Sequence, residues 1–158
     1  MKKVKVIFVC TGNICRSPTA DGVMRQWVKD AGLSHAIEVD SAGTQNYHIG
    51  EPPDRRAQSH AQKRGFDLSF LRARSVQQSD FAEFDWILAM DNGHLKDLQR
   101  QCPPEYQSRV KLFLSFAPVP TQSEVLDPYY GGAAGFEAVL DQVEAGCAAL
   151  LNHIKTVI

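Results

Sequence analysis

No stretch of this 158-residue chain approaches the roughly 18 consecutive apolar residues that a membrane-spanning helix needs, so no membrane span is expected. A basic block is missing too. The 17 lysines and arginines nearly balance 18 aspartates and glutamates, which argues against a nucleic-acid groove and makes any anion site a local one. Cysteine is scarce. Four residues, Cys10, Cys15, Cys102 and Cys147, fall far below the density of a disulfide-stapled secreted domain, so reduced thiols are expected. The opening MKKVKVIFVC lacks a small-residue cleavage site after its short apolar run and reads as a first strand, in keeping with a soluble, cytoplasmic protein. Internal repeats, low-complexity segments and linkers are absent. His35, His48, His60, His94 and His153 show no metal-like spacing and read as surface or loop residues, so neither a metal nor a cofactor is expected.

What is present suits one domain over residues 1–158: the 44% hydrophobic content can fill one core but hardly two. Lys3 to Val9, Ala36 to Ser41, Asp85 to Met90 and Val110 to Phe113 read as strands, the first apolar enough to be buried on both faces. Between them the spacing predicts helices. The first begins near Ser17-Pro18, with the serine as cap, and ends at Gly32. Others cover Asp54 to Arg64 and Asn92 to Gln101. A final helix carries the apolar stripe Phe136, Val139, Leu140, Val143, Cys147, Leu150, Leu151 and Ile154. Strands alternating with helices imply an α/β fold, a doubly wound parallel sheet with ligands beyond the strands' carboxyl ends. Cys10 stands at such an end. The long polar loop after Ala42 is a second candidate for functional residues.

From Cys10 the chain turns through five residues, Thr11, Gly12, Asn13, Ile14 and Cys15, and enters a helix at Arg16-Ser17. Backbone amides in such a turn converge, and the helix end adds partial positive charge. This makes an anion cradle. Arg16 at its rim offers a planar fork for two phosphate oxygens, and the same field favours a thiolate at Cys10. A nucleophile aimed at a bound phosphate points to a phosphatase. A nucleotide-binding loop would need lysine followed by serine or threonine at the helix start, and none is present. A thiolate that displaces an ester oxygen also needs an acid for the leaving group, and Asp127 in the turn-rich "DPYY" supplies one. Tyr129 and Tyr130, next to it, could wall a flat pocket.

These residues carry a resemblance. "VCTGNICRSP" at Val9 to Pro18, "DSAGTQNYHIGEPPD" at Asp40 to Asp54, "FDWILAMD" at Phe84 to Asp91 and "DPYYGG" at Asp127 to Gly132 resemble, in order, the low-molecular-weight protein-tyrosine phosphatase family. The resemblance implies a three-layer α/β/α sandwich with a four-stranded parallel sheet and a phosphate-binding loop after the first strand. It also implies metal-free hydrolysis of phosphotyrosine through a phosphocysteine, with Cys10 as nucleophile, Arg16 as clamp and Asp127 as acid and then base. Asn13 would order the loop from within, Ser17 would hydrogen-bond the thiolate, and Ser41 and Asp91 would support them. Tyr47, Tyr129 and Tyr130 would form the pocket walls. Implied partners are phosphotyrosine proteins, a tyrosine kinase among them, with phosphate or other oxyanions as competitive ligands and a monomer or weak dimer as the state. The "YY" pair matches a stretch that is phosphorylated in some relatives. One departure stands out: many relatives carry a histidine just before the "AR" at Ala73-Arg74, where this chain has Phe70 and Leu71.

Neighbouring activities share the loop. A thioredoxin-coupled arsenate reductase would need two further cysteines close together, and Cys102 and Cys147 read instead as small buried apolar residues. Arginine phosphatases place threonine where Ile14 stands, and the bulk of isoleucine favours an aryl ester. A phosphate-binding or redox-sensing module without turnover would have no use for Asp127. Cys15 has two readings: a partner that captures oxidised Cys10 as a disulfide, or a small residue that packs the loop.

Overall fold

The computed structural model describes residues 2–117, 124–128 and 131–158. Strand β1 (Val4–Cys10) is the organising element. It is hydrogen-bonded in parallel to β2 (Ile37–Gly43) on one side and to β3 (Trp86–Ala89) on the other. A short β4 (Val110–Leu112) extends the sheet beyond β3, giving the order β2-β1-β3-β4. From Val6 to Cys10 every residue of β1 is buried. Alternation splits that run between the two faces. Val6, Phe8 and Cys10 enter one core, whereas Ile7 and Val9 enter the other.

Helices α1 (Arg16–Asp30), α2 (Arg55–Lys63) and α5 (Gly132–Val157) cover the first face. Their apolar positions Val23, Met24, Ala57, Ala61, Val139 and Leu140 share the core with Phe8, whose ring meets Phe113 edge-on at 5.1 Å. The opposite face is closed by α3 (Gln78–Glu83) and α4 (Asn92–Gln101) through Phe81 and Leu98. The result is the three-layer α/β/α arrangement expected. Among the described residues no helix is long and apolar enough to cross a membrane.

Four local outcomes differ from the sequence reading. Strand β2 runs on to Gly43, two residues further than expected, because its end pairs with Cys10. Helix α1 is capped at Cys15, and Ser17 is already inside the helix with its hydroxyl turned to Cys10 and the Ala42 carbonyl instead of the backbone of its own helix. The six-residue α3 was not expected at all. It stands on a capping box in which Asp80 accepts the Gln77 N–H, a device too short to show periodicity. His94, read as a surface or loop residue, is buried in the first turn of α4.

Candidate active site

The site grows out of the junction between β1 and α1. Gly43, opposite Cys10 in register, lets the end of β2 lie against the loop: a Cβ there would stand 2.6 Å from the Thr11 carbonyl oxygen. The segment after β2 then fastens the loop from outside. Thr44 N–H donates to the Cys10 carbonyl at 2.8 Å and Gln45 N–H to the Thr11 carbonyl at 3.0 Å, while Asp54 N–H donates to Ile14 at 2.8 Å. Among the described residues every peptide bond is trans, so the N–H groups of Thr11, Gly12 and Cys15 point opposite to these carbonyls, away from the segment that fastens the loop. Amides turned this way suit an anion.

Asn13 holds the loop from within. Its φ of 58° is the left-handed conformation that asparagine tolerates better than most residues. Its side-chain amide donates to Ser17 Oγ at 2.8 Å and Ser41 Oγ at 3.0 Å, and its carbonyl accepts the Arg74 N–H at 3.1 Å. That resolves the departure at Phe70 and Leu71. The Asn13 network closes without a histidine, Leu71 joins the apolar core, and Phe70 is exposed beneath the Arg25 guanidinium. Arg74 is a residue the sequence reading missed. Its side chain pairs with Asp40 at 3.0 Å and Asp80 at 2.9 Å, pinning the segment that supports Asn13.

Cys10 Sγ lies 2.9 Å from Ser17 Oγ. Ser17 Oγ accepts from Asn13 and has its own proton to place between the Cys10 sulfur at 2.9 Å and the Ala42 carbonyl at 3.4 Å. Arg16 is buried, with Nη1 donating to Asp91 Oδ2 at 2.8 Å and to the Val125 carbonyl at 3.1 Å. Its Nη2 stands 3.8 Å from Asp127 Oδ2. Burial alone would raise the Asp91 carboxyl, but the His94 N–H and the Arg16 guanidinium hold it below the ordinary aspartate value. Burial, reinforced by Asp54, pushes the Cys15 thiol up to about 12, so at neutral pH it keeps its proton.

One cavity of about 150 Å³ collects these groups: Cys10, Thr11, Gly12, Ile14, Cys15, Arg16, Tyr47 and Asp127 from the expected set, with His48 beside them. Ser17, Asn13, Ser41 and Asp91 stand behind it. Tyr129 and Tyr130 lie outside the described residues. His48 and His94 were not singled out in the sequence. His48 is tethered by Glu51 at 2.6 Å. His94 Nε2 lies 2.7 Å from Thr11 Oγ1, and the signal that could have found it is Asp-x-x-His at a helix start, where Asp91 accepts the His94 N–H. Cys102 and Cys147 are buried in the two separate cores.

A parallel sheet whose first strand delivers a cysteine into an amide-lined loop, with a buried arginine beside it, has the form of a phosphate-handling α/β protein. Residues 5–157 match the family model described as low molecular weight phosphotyrosine protein phosphatase. The chain is 46% identical over 154 residues to a low molecular weight protein-tyrosine-phosphatase of Streptomyces coelicolor, covering 96% of this chain and 93% of the relative. It is 43% identical over 148 residues to the human low molecular weight phosphotyrosine protein phosphatase, covering 93% of each. A crystal structure of a protein tyrosine phosphatase from Entamoeba histolytica superposes with a TM-score of 0.94 at 38% identity over 98% of both chains. The chain belongs to the low molecular weight phosphotyrosine protein phosphatase family and is a phosphoric monoester hydrolase.

Proposed function

We propose that the protein hydrolyses phosphotyrosine in proteins, and small aryl phosphates, by two in-line displacements through a phosphocysteine. The observation that carries this reading is the meeting of Cys10, Arg16 and Asp127 around one cavity with the Ser17 hydroxyl 2.9 Å from the sulfur. In the first step the Cys10 thiolate attacks phosphorus, and Asp127 gives its proton to the departing phenolate. The loop amides and Arg16 take up the charge on the equatorial oxygens, where fixed donors need no reorganisation. In the second step Asp127, now a carboxylate, removes a proton from water as it attacks the phosphocysteine. Inorganic phosphate leaves and the thiolate returns. Ile14 in the cavity wall and Tyr47 at its rim suit a flat aromatic ester.

The test is hydrolysis of p-nitrophenyl phosphate by reduced protein at mildly acidic pH. Cys10→Ser is expected to abolish turnover while retaining phosphate binding, and Asp127→Ala to slow phenolate departure most for poor leaving groups. A parent protein that binds phosphate without turnover would sink the reading. The same reading includes a redox guard. Peroxide converts the Cys10 thiolate to a sulfenic acid, and the Cys15 thiol condenses with it to a disulfide with release of water. Cys15→Ser is expected to recover less activity with dithiothreitol than the parent; full recovery would remove the guard.

A further inference from the structure

His94 takes no part in the two displacements, yet its environment is that of a working residue. The side chain is 4% exposed, and its Nδ1 is one of two buried side-chain polar atoms without a hydrogen-bond partner among the described residues. Nε2 is 2.7 Å from the hydroxyl of Thr11, the first residue of the loop. On the other edge of the ring, Nδ1 stands 3.2 Å from Asp91 Oδ1, out of hydrogen-bond alignment. The second oxygen of that carboxylate accepts from Arg16. Burial is the main cause that brings the ring's pKa down to about 4, so the imidazole is neutral, with one N–H and one lone pair to place. A lone pair facing a carboxylate would repel it. The proton therefore belongs on Nδ1, which leaves Nε2 as the acceptor of the Thr11 hydroxyl.

We propose that His94 is a positioning residue: its ring holds the Thr11 hydroxyl while its backbone N–H holds the Asp91 carboxylate that pairs with Arg16, so the loop mouth and the guanidinium are held in one geometry before phosphate arrives. The proposal rests on the phosphatase reading, since it assigns His94 a role in organising that same cradle. A preset cradle spends less binding energy on ordering itself. The effect of losing the tie falls on capture of the phosphoryl group more than on the proton transfers.

Three substitutions separate the tie from simple packing. His94→Gln can bring an amide to the position of Nε2, His94→Asn is too short to reach Thr11, and His94→Leu fills the space with neither contact. Readouts are kcat and KM for p-nitrophenyl phosphate, and the dissociation constant of inorganic phosphate by calorimetry. Loss of one hydrogen bond predicts about a tenfold rise in KM and in the phosphate constant for Leu and Asn, with Gln within about twofold of the parent. Equal values for all four proteins overturn the proposal, as does a Gln variant as impaired as Leu. If Leu does not fold, the Gln and Asn pair decides. If the parent lacks turnover, the phosphatase reading falls, and phosphate calorimetry still decides whether His94 organises the cradle.

Discussion

Cys10 and Cys15 are two buried thiols of one loop with different partners. The first meets a serine hydroxyl at 2.9 Å; the second is buried near Asp54 and keeps its proton up to about pH 12. Ser17→Ala removes the hydroxyl that meets the sulfur and one of the anchors of Asn13. Its expected effect is a fall in kcat of about tenfold to a hundredfold, the worth of a hydrogen bond to a charged group, measured by steady-state kinetics on an aryl phosphate. His94 sets a second expectation, this time for stability. Burial is the chief cause that lowers its pKa from 6.5 to about 4; Arg16 acts with it, and Asp91, Asp127 and Glu124 act against it. The unfolded chain thus binds the proton more readily. The stability from a neutral His94 is whole above pH 6.5 and is lost as pH falls toward 4. The loss is on the order of 2–3 kcal/mol. Urea midpoints at pH 7 and pH 4.5 should converge in His94→Gln relative to the parent; an unchanged difference would exclude His94 as the cause. Asp54 and Asp91, whose carboxyls are held low, lose their contributions only further into acid.

At the scale of elements, the loop depends on how closely β2 approaches it. A Cβ on Gly43 would meet the Thr11 carbonyl oxygen at 2.6 Å and the Asn13 nitrogen at 3.2 Å, both backbone atoms that cannot swing aside. Gly43→Ala is expected to cost about 1–3 kcal/mol as an overpacked contact and to weaken phosphate binding with it, read from the urea midpoint and from inhibition by phosphate. Much of this architecture was legible in the sequence. The β1 run, the α5 stripe and the strand to α4 at Met90-Asp91 all follow from apolar periodicity and capping. Cys10 and Arg16 could be placed in the loop after β1 because that loop is local in sequence. Other features depend on partners remote in the chain, which periodicity does not register. His94 meets Thr11 across 83 positions, and Arg74 finds its two carboxylates on β2 and α3. Ser17 looked like a helix cap because serine before proline often is one; the thiol of Cys10 offered its hydroxyl another partner.

Across the whole molecule, the sheet separates two cores, and that separation bears on which reaction the loop serves. Cys147 belongs to the core with α1 and α5, Cys102 to the core with α4. A disulfide needs Cα atoms within about 7 Å, so two thiols on opposite sides of a sheet do not pair while the fold is intact. An arsenate relay through them is correspondingly disfavoured. Cys10 also ends β1, one of the two interior strands of the sheet, flanked by β2 and β3. Loss of aryl phosphatase activity should therefore coincide with loss of far-UV circular dichroism along a urea titration; activity lost well before the secondary structure would show the loop opening on its own.

The placing of β1 has one further consequence. Its amide protons are expected to be among the slowest in the protein to trade with deuterated water, since central-strand hydrogen bonds open only with the whole fold. Tyr47, at 69% exposure, and His48 sit at the other end of that scale. On the proposed reading the attacking thiol belongs to this rigid floor and the choice of ester to the exposed rim, so substitutions at Tyr47 are expected to change substrate preference while leaving β1 in place.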